Sequence, residues 1–276
     1  MEDIYAVVGN PIAQSKSPRI HSLFAAQTGQ SIDYARLEFP IDGFVEGVSS
    51  FFARGGKGVN VTAPFKQDAY GYVHQTTKRA RRAGAVNTIF LNDDGDKVGD
   101  TTDGVGLVRD LVGNLKWQVN QKKVLILGSG GAIRGVLDPL LEQKPAAVVI
   151  ANRTASKALS LATAFSGTVS RMGVGLEALT TDTKPFDLVV NGTSSGLTGD
   201  CLTLPRNLLS SDTCCYDLAY GRAANPFLEW ADRENGRATD GLGMLVEQAA
   251  ESFRVWRGVM PETTSVIQKL RQEMSS

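Results

Sequence analysis

Lys122-Lys123-Val124-Leu125-Ile126-Leu127-Gly128-Ser129-Gly130-Gly131-Ala132 is the stretch on which the reading of this chain turns. A basic start leads into an unbroken apolar run, then a glycine cluster, then Ile133 to Leu141 at helical spacing. A strand buried on both faces shows such a run instead of alternation. Between a strand and a helix, a glycine cluster is informative. Bare backbone can approach a pyrophosphate, and the helix N-terminus favours its negative charge. The match to G-x-G-x-x-G is incomplete, because Ile133 stands where the third glycine would be. A tight strand–helix turn without a ligand is the competing reading.

Downstream, strands are predicted at Ala147 to Ala151, Phe186 to Val190 and Cys214 to Leu218, with a helix at Ser156 to Phe165. Alternation of buried strands with helices implies a doubly wound parallel sheet of Rossmann type, in an α/β protein. The second strand ends in Asn152-Arg153-Thr154, with Lys157 one turn later. An acidic residue there would hold a ribose 2′-hydroxyl, whereas cations and a hydroxyl suit a 2′-phosphate, so the cofactor expected is NADP(H). Gly192-Thr193-Ser194-Ser195-Gly196 matches the nucleophile elbow of hydrolases. That chemistry needs a histidine after the serine, and both histidines, His21 and His74, precede it. The loop is better read as facing the cofactor from the carboxyl ends of the strands.

Upstream, the first 100 residues alternate strands and helices. Strands are expected at Tyr5 to Val8, Tyr34 to Phe39, Gly58 to Thr62 and Thr88 to Leu91. Helices are expected after Ser17-Pro18, at Phe44 to Ala53 and up to Ala83. Asp93 to Asp96 signals a hairpin turn. Several polar residues stand beside these apolar segments. Ser15 and Ser17 precede a helix, where hydroxyls and free N–H groups make a carboxylate site, or where Ser17 is simply an N-cap. Strand alternation puts Asn60 and Thr62 on one face, and Pro64 then presents Lys66, which can donate a proton to a forming alkoxide or stand as a solvated surface lysine. Asn87 ends Gly84-Ala85-Val86-Asn87, and Asp103 precedes Gly104 at the expected domain junction, a favoured place for ligands, where a turn or cap residue is the competing reading. The last predicted element is a helix, Leu242 to Arg257, with Gln248 on its apolar face, where a buried amide must find backbone or ligand partners.

The 276 residues suggest two domains, and 42% hydrophobic with 21% charged residues is a globular composition. Twenty-nine basic against 29 acidic residues argue against a nucleic-acid partner or an acidic membrane surface. No apolar stretch has membrane-spanning length, and Met1-Glu2-Asp3-Ile4 does not read as a signal peptide, so a cytoplasmic location is expected. Cys201, Cys214 and Cys215 have no metal-ligand spacing and their odd number argues against a disulfide framework; Cys214 and Cys215, in an apolar run, are expected as reduced core residues, and no metal site is expected.

Taken together, these motifs resemble the shikimate dehydrogenase family. The pattern runs through Gly9-Asn10-Pro11-Ile12-Ala13-Gln14-Ser15-Lys16-Ser17-Pro18, Asn60-Val61-Thr62-Ala63-Pro64-Phe65-Lys66, Gly84-Ala85-Val86-Asn87-Thr88 and Thr102-Asp103-Gly104. It continues through Gly128 to Ala132, Asn152-Arg153-Thr154 and Asp240 to Ala250, and so covers nearly the whole chain. The resemblance implies a substrate-binding catalytic domain of residues 1–104 plus 241–276 and an NADP-binding domain of residues 105–240. It implies reversible reduction of 3-dehydroshikimate to shikimate, a step of aromatic amino-acid (chorismate) biosynthesis. It implies Lys66 and Asp103 as the catalytic pair, Ser15 and Ser17 at the substrate carboxylate, and Asn60, Thr62, Asn87, Tyr220 and Gln248 around its hydroxyls. The cofactor set it implies is Gly128, Ser129, Gly130, Gly131, Ala132, Asn152, Arg153, Thr154, Lys157, Thr193, Ser194, Leu218, Gly241 and Met244.

The chain departs from the family pattern at Thr101 for Asn, Gln14 for His, Ser129 for Ala and Gly192 for Ala. A paralogue acting on quinate or another cyclic polyol acid is the alternative within the class. A non-catalytic NADP-sensing protein is the alternative outside it. Either a monomer or a homodimer is compatible with the sequence.

Overall fold

The structure, a computed structural model, describes residues 2–165, 167, 169–193 and 204–275. The chain divides into two units, Met1–Gly106 with Leu245–Ser276, and Leu107–Met244. Both divisions fall inside a helix.

In the first unit, β1 (Asp3–Gly9), β2 (Ile32–Glu38) and β3 (Gly56–Val61) are parallel, and α1 (Ser17–Thr28) and α2 (Phe44–Ala53) connect them. β1 lies between the other two and is buried from Tyr5 onward, as a strand covered on both faces must be. The chain continues through α3 (Lys66–Tyr72), the short strand β4 (Gln75–Thr76), α4 (Lys78–Ala83) and the hairpin β5 (Thr88–Leu91) and β6 (Lys97–Asp100). The sheet order is β2-β1-β3-β5-β6-β4, with β5 antiparallel to both its neighbours. The predicted turn closes this hairpin. Asn92 Oδ1 accepts the N–H groups of Asp94 and Asp96, and Gly95 takes the left-handed φ of +82°.

The start of α1 differs from expectation. Lys16, not Ser17, is the N-cap, and Ser17 is the first helical residue. Lys16 makes no side-chain cap bond, and Ser15 Oγ instead satisfies the N–H of Ser17, the first helical residue, at 3.3 Å.

The second unit carries α5 (Asp103–Val108) onward into a wide helical turn, Arg109–Asn114, and then six parallel strands. These are β7 (Lys123–Leu127), β8 (Ala147–Asn152), β9 (Ser170–Gly175), β10 (Leu188–Asn191), β11 (Cys214–Asp217) and β12 (Arg237–Thr239). The helices between them are α6 (Gly131–Glu142), α7 (Ala155–Ala164) and α8 (Asn225–Arg233). The order β12-β11-β10-β7-β8-β9 is that of a Rossmann sheet, and its direction reverses between the paired strands β7 and β10. Alternate residues of each strand feed opposite cores. Val124, Ile126, Val190 and Tyr216 pack with Val136 and Leu140 of α6, whereas Leu125, Leu127 and Val189 pack with Phe227 and Trp230 of α8. Cys214 and Cys215 are free thiols buried on these opposite faces, and burial pushes the Cys215 thiol up to about 12. Cys201 lies outside the described residues.

The chain returns to the first unit through α9 (Leu242–Arg257). The predicted helix is there, but it is buried on most sides as far as Phe253 instead of along one stripe. It is not the last element. α10 (Thr264–Ser275) follows, burying Val266 and Leu270, with Glu262 accepting the backbone N–H groups of Thr264 and Ser265. No helix among the described residues is long and apolar enough to cross a membrane, and no metal-binding cluster is found among them.

His21 of α1 is fully buried and stacks on Tyr34 with ring centroids 4.2 Å apart, beside Phe253 and Trp256. Burial, only partly offset by Asn60, lowers its pKa to about 3. The unfolded chain therefore takes up a proton below pH ~6.5 that the folded chain refuses, so stability falls as pH drops from there towards 3. Replacing His21 with Phe should remove this slope, about 1.4 kcal/mol per pH unit. Urea denaturation of both proteins between pH 7 and 5 checks it, and parallel profiles would contradict it.

Candidate active site

The first unit gathers most of its predicted polar residues into one buried network. Lys66 opens α3, and its Nζ lies 2.6 Å from Asp103 Oδ2, with side chains only 15% and 6% exposed. Asp103 opens α5, just after β6 ends. Its other oxygen, Oδ1, accepts Asn87 Nδ2 at 2.8 Å. Asn87 Nδ2 also faces Thr102 Oγ1 at 2.9 Å and Gln248 Oε1 at 3.2 Å. Asn87 Oδ1 accepts the Thr102 N–H and the Thr88 hydroxyl, both at 2.8 Å. Gln248 donates to the Leu245 carbonyl at 2.8 Å, one turn back on its own helix. The amide thus has both backbone and side-chain partners.

The Thr101–Asp103 segment is fixed from behind. Asp100 Oδ1 accepts the Thr101 N–H at 2.8 Å and the Thr77 hydroxyl at 2.6 Å. Arg79 clamps both oxygens of Asp100 and reaches Glu251 of α9. Such paired, hydrogen-bonded charges hold a loop far better than exposed ones. Thr101 itself is buried, at 3% exposure.

Asn60 joins the network through Thr88 and Ser252, at 3.2 and 3.0 Å from its Nδ2. Its Oδ1 accepts the Tyr34 hydroxyl at 2.7 Å, and Tyr34 also meets Ser17. Ser15 donates to Ser17 Oγ at 3.2 Å, while Arg36 Nε holds the Ser15 carbonyl at 2.9 Å. Two hydroxyls are therefore presented side by side at the start of α1, an arrangement that can donate to a carboxylate. Thr62 lies just beyond β3 and is half-buried, its backbone N–H bonded to the Val8 carbonyl. Tyr34, Thr88, Thr102 and Ser252 are members of this network that residue-by-residue reading did not single out. Thr88 and Thr102 belong to the quoted motifs and Ser252 lies just past one, a signal that could have flagged them, but nothing around Tyr34 does.

The second unit holds the remaining candidates. Gly128 follows β7 with φ +102°, and a Cβ there would lie 3.0 Å from the Gly192 carbonyl oxygen. Only glycine serves at this position. Gly130 is the N-cap of the 12-residue helix α6, and a Cβ there would meet nothing within 4 Å. Ser129 to Ala132 are all at least partly exposed, so this turn presents accessible backbone at a helix N-terminus. At the end of β8, Asn152 Nδ2 pins the turn by donating to the Thr154 carbonyl at 3.1 Å, and Arg153, Thr154 and Lys157 are exposed. The donor set fits a dinucleotide with a 2′-phosphate: bare backbone for the pyrophosphate, cations for the phosphate.

Thr193 follows β10, with its N–H and hydroxyl 3.2 and 2.9 Å from Asn191 Oδ1. Ser194 lies outside the described residues. Leu218 and Tyr220 follow β11, and the Leu218 carbonyl would lie 2.6 Å from any Cβ on Gly241. Met244 donates its N–H to the Tyr216 hydroxyl at 3.1 Å, and that hydroxyl donates to Asp110 at 2.6 Å.

Three family models match the chain: shikimate dehydrogenase substrate binding domain over residues 7–89, shikimate / quinate 5-dehydrogenase over 110–198, and shikimate 5′-dehydrogenase C-terminal domain over 241–271. The shikimate dehydrogenase (NADP(+)) of Alkalilimnicola ehrlichii is 52% identical over 275 residues, 99% of this chain and 100% of that protein. Among solved structures, the Ael1 enzyme of Pseudomonas putida matches with a TM-score of 0.90 at 44% identity over 98% of each chain. The shikimate 5-dehydrogenase of Thermus thermophilus, in complex with NADP(H) and shikimate, matches at 0.82 with 29% identity, over 98% of this chain and 99% of that one.

The departure at Gly192 has a packing cause. A Cβ there would lie 2.4 Å from Cδ1 and 2.6 Å from Cγ1 of Ile133, which is fully buried. Ile133 thus fills the space that the missing third glycine would leave, and Gly192 makes room for it. Gly192→Ala should destabilise the protein by about 1–3 kcal/mol. Adding Ile133→Ala should recover part of that loss, with a coupling of at least ~0.5 kcal/mol in a denaturation cycle. Simple additivity of the two changes would contradict the packing account.

Proposed function

Because the chain belongs to the shikimate dehydrogenase family, we propose that it interconverts 3-dehydroshikimate and shikimate, with Lys66 and Asp103 handling the proton. The observation that carries this reading is the 2.6 Å Lys66–Asp103 pair, held at both carboxylate oxygens inside a satisfied polar network. NADP(H) supplies or accepts the hydride when bound.

In the reducing direction Lys66 Nζ gives its proton to the ketone oxygen as the alkoxide forms. Asp103 fixes the direction of the ammonium group. Asn87, Gln248 and Asn60 offer a row of amide donors and acceptors that matches a ring bearing several hydroxyls. Ser15 and Ser17 bind the carboxylate. Thr62 and Tyr220 complete the substrate set. Gly128 to Ala132 hold the pyrophosphate, and Asn152, Arg153, Thr154 and Lys157 hold the 2′-phosphate. Thr193, Ser194, Leu218, Gly241 and Met244 line the rest of the cofactor site.

Lys66→Ala should lower kcat for NADP-dependent shikimate oxidation by about 10²- to 10⁴-fold while leaving NADP affinity unchanged. An unaffected kcat would remove Lys66 from the reaction. Absence of turnover in the wild type would refute shikimate as the substrate and favour the quinate or non-catalytic readings.

Arg153→Ala should raise the Kd for NADP by roughly tenfold and leave that for NAD unchanged, as measured by calorimetry. Equal effects on both cofactors would contradict the 2′-phosphate assignment.

A further inference from the structure

Asp217 closes β11 directly opposite Asn191 of β10, and it is only 2% exposed. Its two oxygens serve two different segments. Oδ2 accepts Asn191 Nδ2 at 2.8 Å, and Oδ1 accepts the Ala219 backbone N–H at 2.8 Å. A carboxylate can only accept, so it dictates which end of the Asn191 amide faces it. The amide oxygen is thereby turned to Thr193, where it accepts both the N–H and the hydroxyl. Were the amide reversed, its NH2 would confront the Thr193 N–H.

The two segments so fixed, residues 192–193 and 218–219, lie at the carboxyl ends of adjacent strands. Gly192 packs against the glycine turn at Gly128. Ala219 continues the second segment, and its carbonyl accepts the Gly241 N–H at 2.8 Å. One carboxylate therefore fixes backbone after both β10 and β11.

We propose that Asp217 is a positioning residue for NADP binding, its carboxylate orienting Asn191 and Ala219 so that Thr193 and Leu218 are placed as the cofactor needs them. The inference rests on the reading that these segments hold the cofactor. Stability alone does not account for a charge here. Burial pushes the Asp217 carboxyl up to about 6, against its two hydrogen bonds. Asp240, at the end of β12, is the charged group whose field adds to this rise among the described residues. Its own oxygens accept the N–H groups of Gly221 and Leu242. With the native pKa above the unfolded one, the contribution of Asp217 to stability is complete below pH ~4 and is lost as pH rises through about 6. At neutral pH the ionised group thus burdens the fold while it orients the two segments.

The test is Asp217→Asn, which keeps the shape but presents an NH2 where one of the two bonds needs an acceptor. At pH 8 the variant should be at least as stable as the wild type in urea. Its Kd for NADP, by calorimetry, should rise about 10-fold or more, with the KM for shikimate unchanged. The ratio of variant to wild-type Kd should fall towards one as pH drops below 6, which cancels the ionisation of the cofactor's own phosphate. NADP binding within twofold of wild type at pH 8 overturns the proposal. A loss at Arg153→Ala with none at Asp217→Asn overturns this inference alone, whereas no loss at either overturns the cofactor-site reading with it. If the variant fails to fold, NMR of the ligand-free wild type decides. The Ala219 amide and the Asn191 side-chain amide should titrate together with a midpoint near 6, and independent or absent titration overturns the proposal.

Discussion

The amide of Asn87 is the constraint on which the first unit's chemistry rests. It donates to Asp103 and Thr102, accepts from the Thr102 backbone and Thr88, and approaches Gln248. Those groups come from three segments: Thr102 and Asp103, leading from β6 into α5, Thr88 at the start of β5, and Gln248 of α9. A buried Lys–Asp pair is a poor device for stability, because desolvating both charges costs nearly as much as their attraction returns. Lys66 and Asp103 become tolerable inside the unit only because the second carboxylate oxygen has its own donor. The network therefore does two things at once. It satisfies a buried charge, and it holds a proton donor at a fixed point before any ligand arrives, which is what general acid–base chemistry requires.

The second unit is governed by close approaches at glycine, to backbone in some places and to side chains in others. Gly128 against Gly192, Gly192 under Ile133, and Gly241 against Leu218 each leave no space for a side chain. Gly243 extends the pattern, since a Cβ there would lie 2.1 Å from Asp110 Oδ1. That carboxylate, in turn, accepts from the buried Tyr216 hydroxyl. The enrichment in glycine is thus spent where the sheet's loops converge, and the departure from the family pattern at Gly192 is compensated by its neighbour. The departure at Thr101 has a different setting. Its backbone N–H is tied to Asp100, which Arg79 and Thr77 clamp, so the chain two residues before Asp103 is held by contacts that do not use the Thr101 side chain.

How much of this could be read beforehand follows from where the signal lies. The central strands of the Rossmann sheet were legible because burial on both faces leaves an unbroken apolar run, as in Val124 to Leu127. The edge strands were not. β9, Ser-Arg-Met-Gly-Val-Gly, and β12, Arg-Ala-Thr, carry polar or small residues and are defined by pairing alone. β4 is too short for any periodicity. α10 buries just Val266 and Leu270, too few to outweigh its polar residues. At the site, the motif residues were legible by type and spacing, but the hydroxyls of Thr88, Thr102 and Ser252 act through contacts between distant segments. Tyr34 sits on a strand with a mixed burial pattern and reads as an ordinary aromatic. The N-cap falls one residue early, at Lys16, whose carbonyl accepts the Ile20 N–H without any side-chain cap, so no capping side chain marks it in the sequence.

The central claim is that Lys66 is held by Asp103 in the protein before substrate binds, and heteronuclear NMR of the Lys66 ammonium group in the ligand-free protein tests it most directly. The account predicts a resolved ammonium signal in slow exchange with water, lost on Asp103→Asn and insensitive to moderate salt. A Lys66 that exchanges as fast as an exposed lysine, with no response to Asp103→Asn, would contradict it.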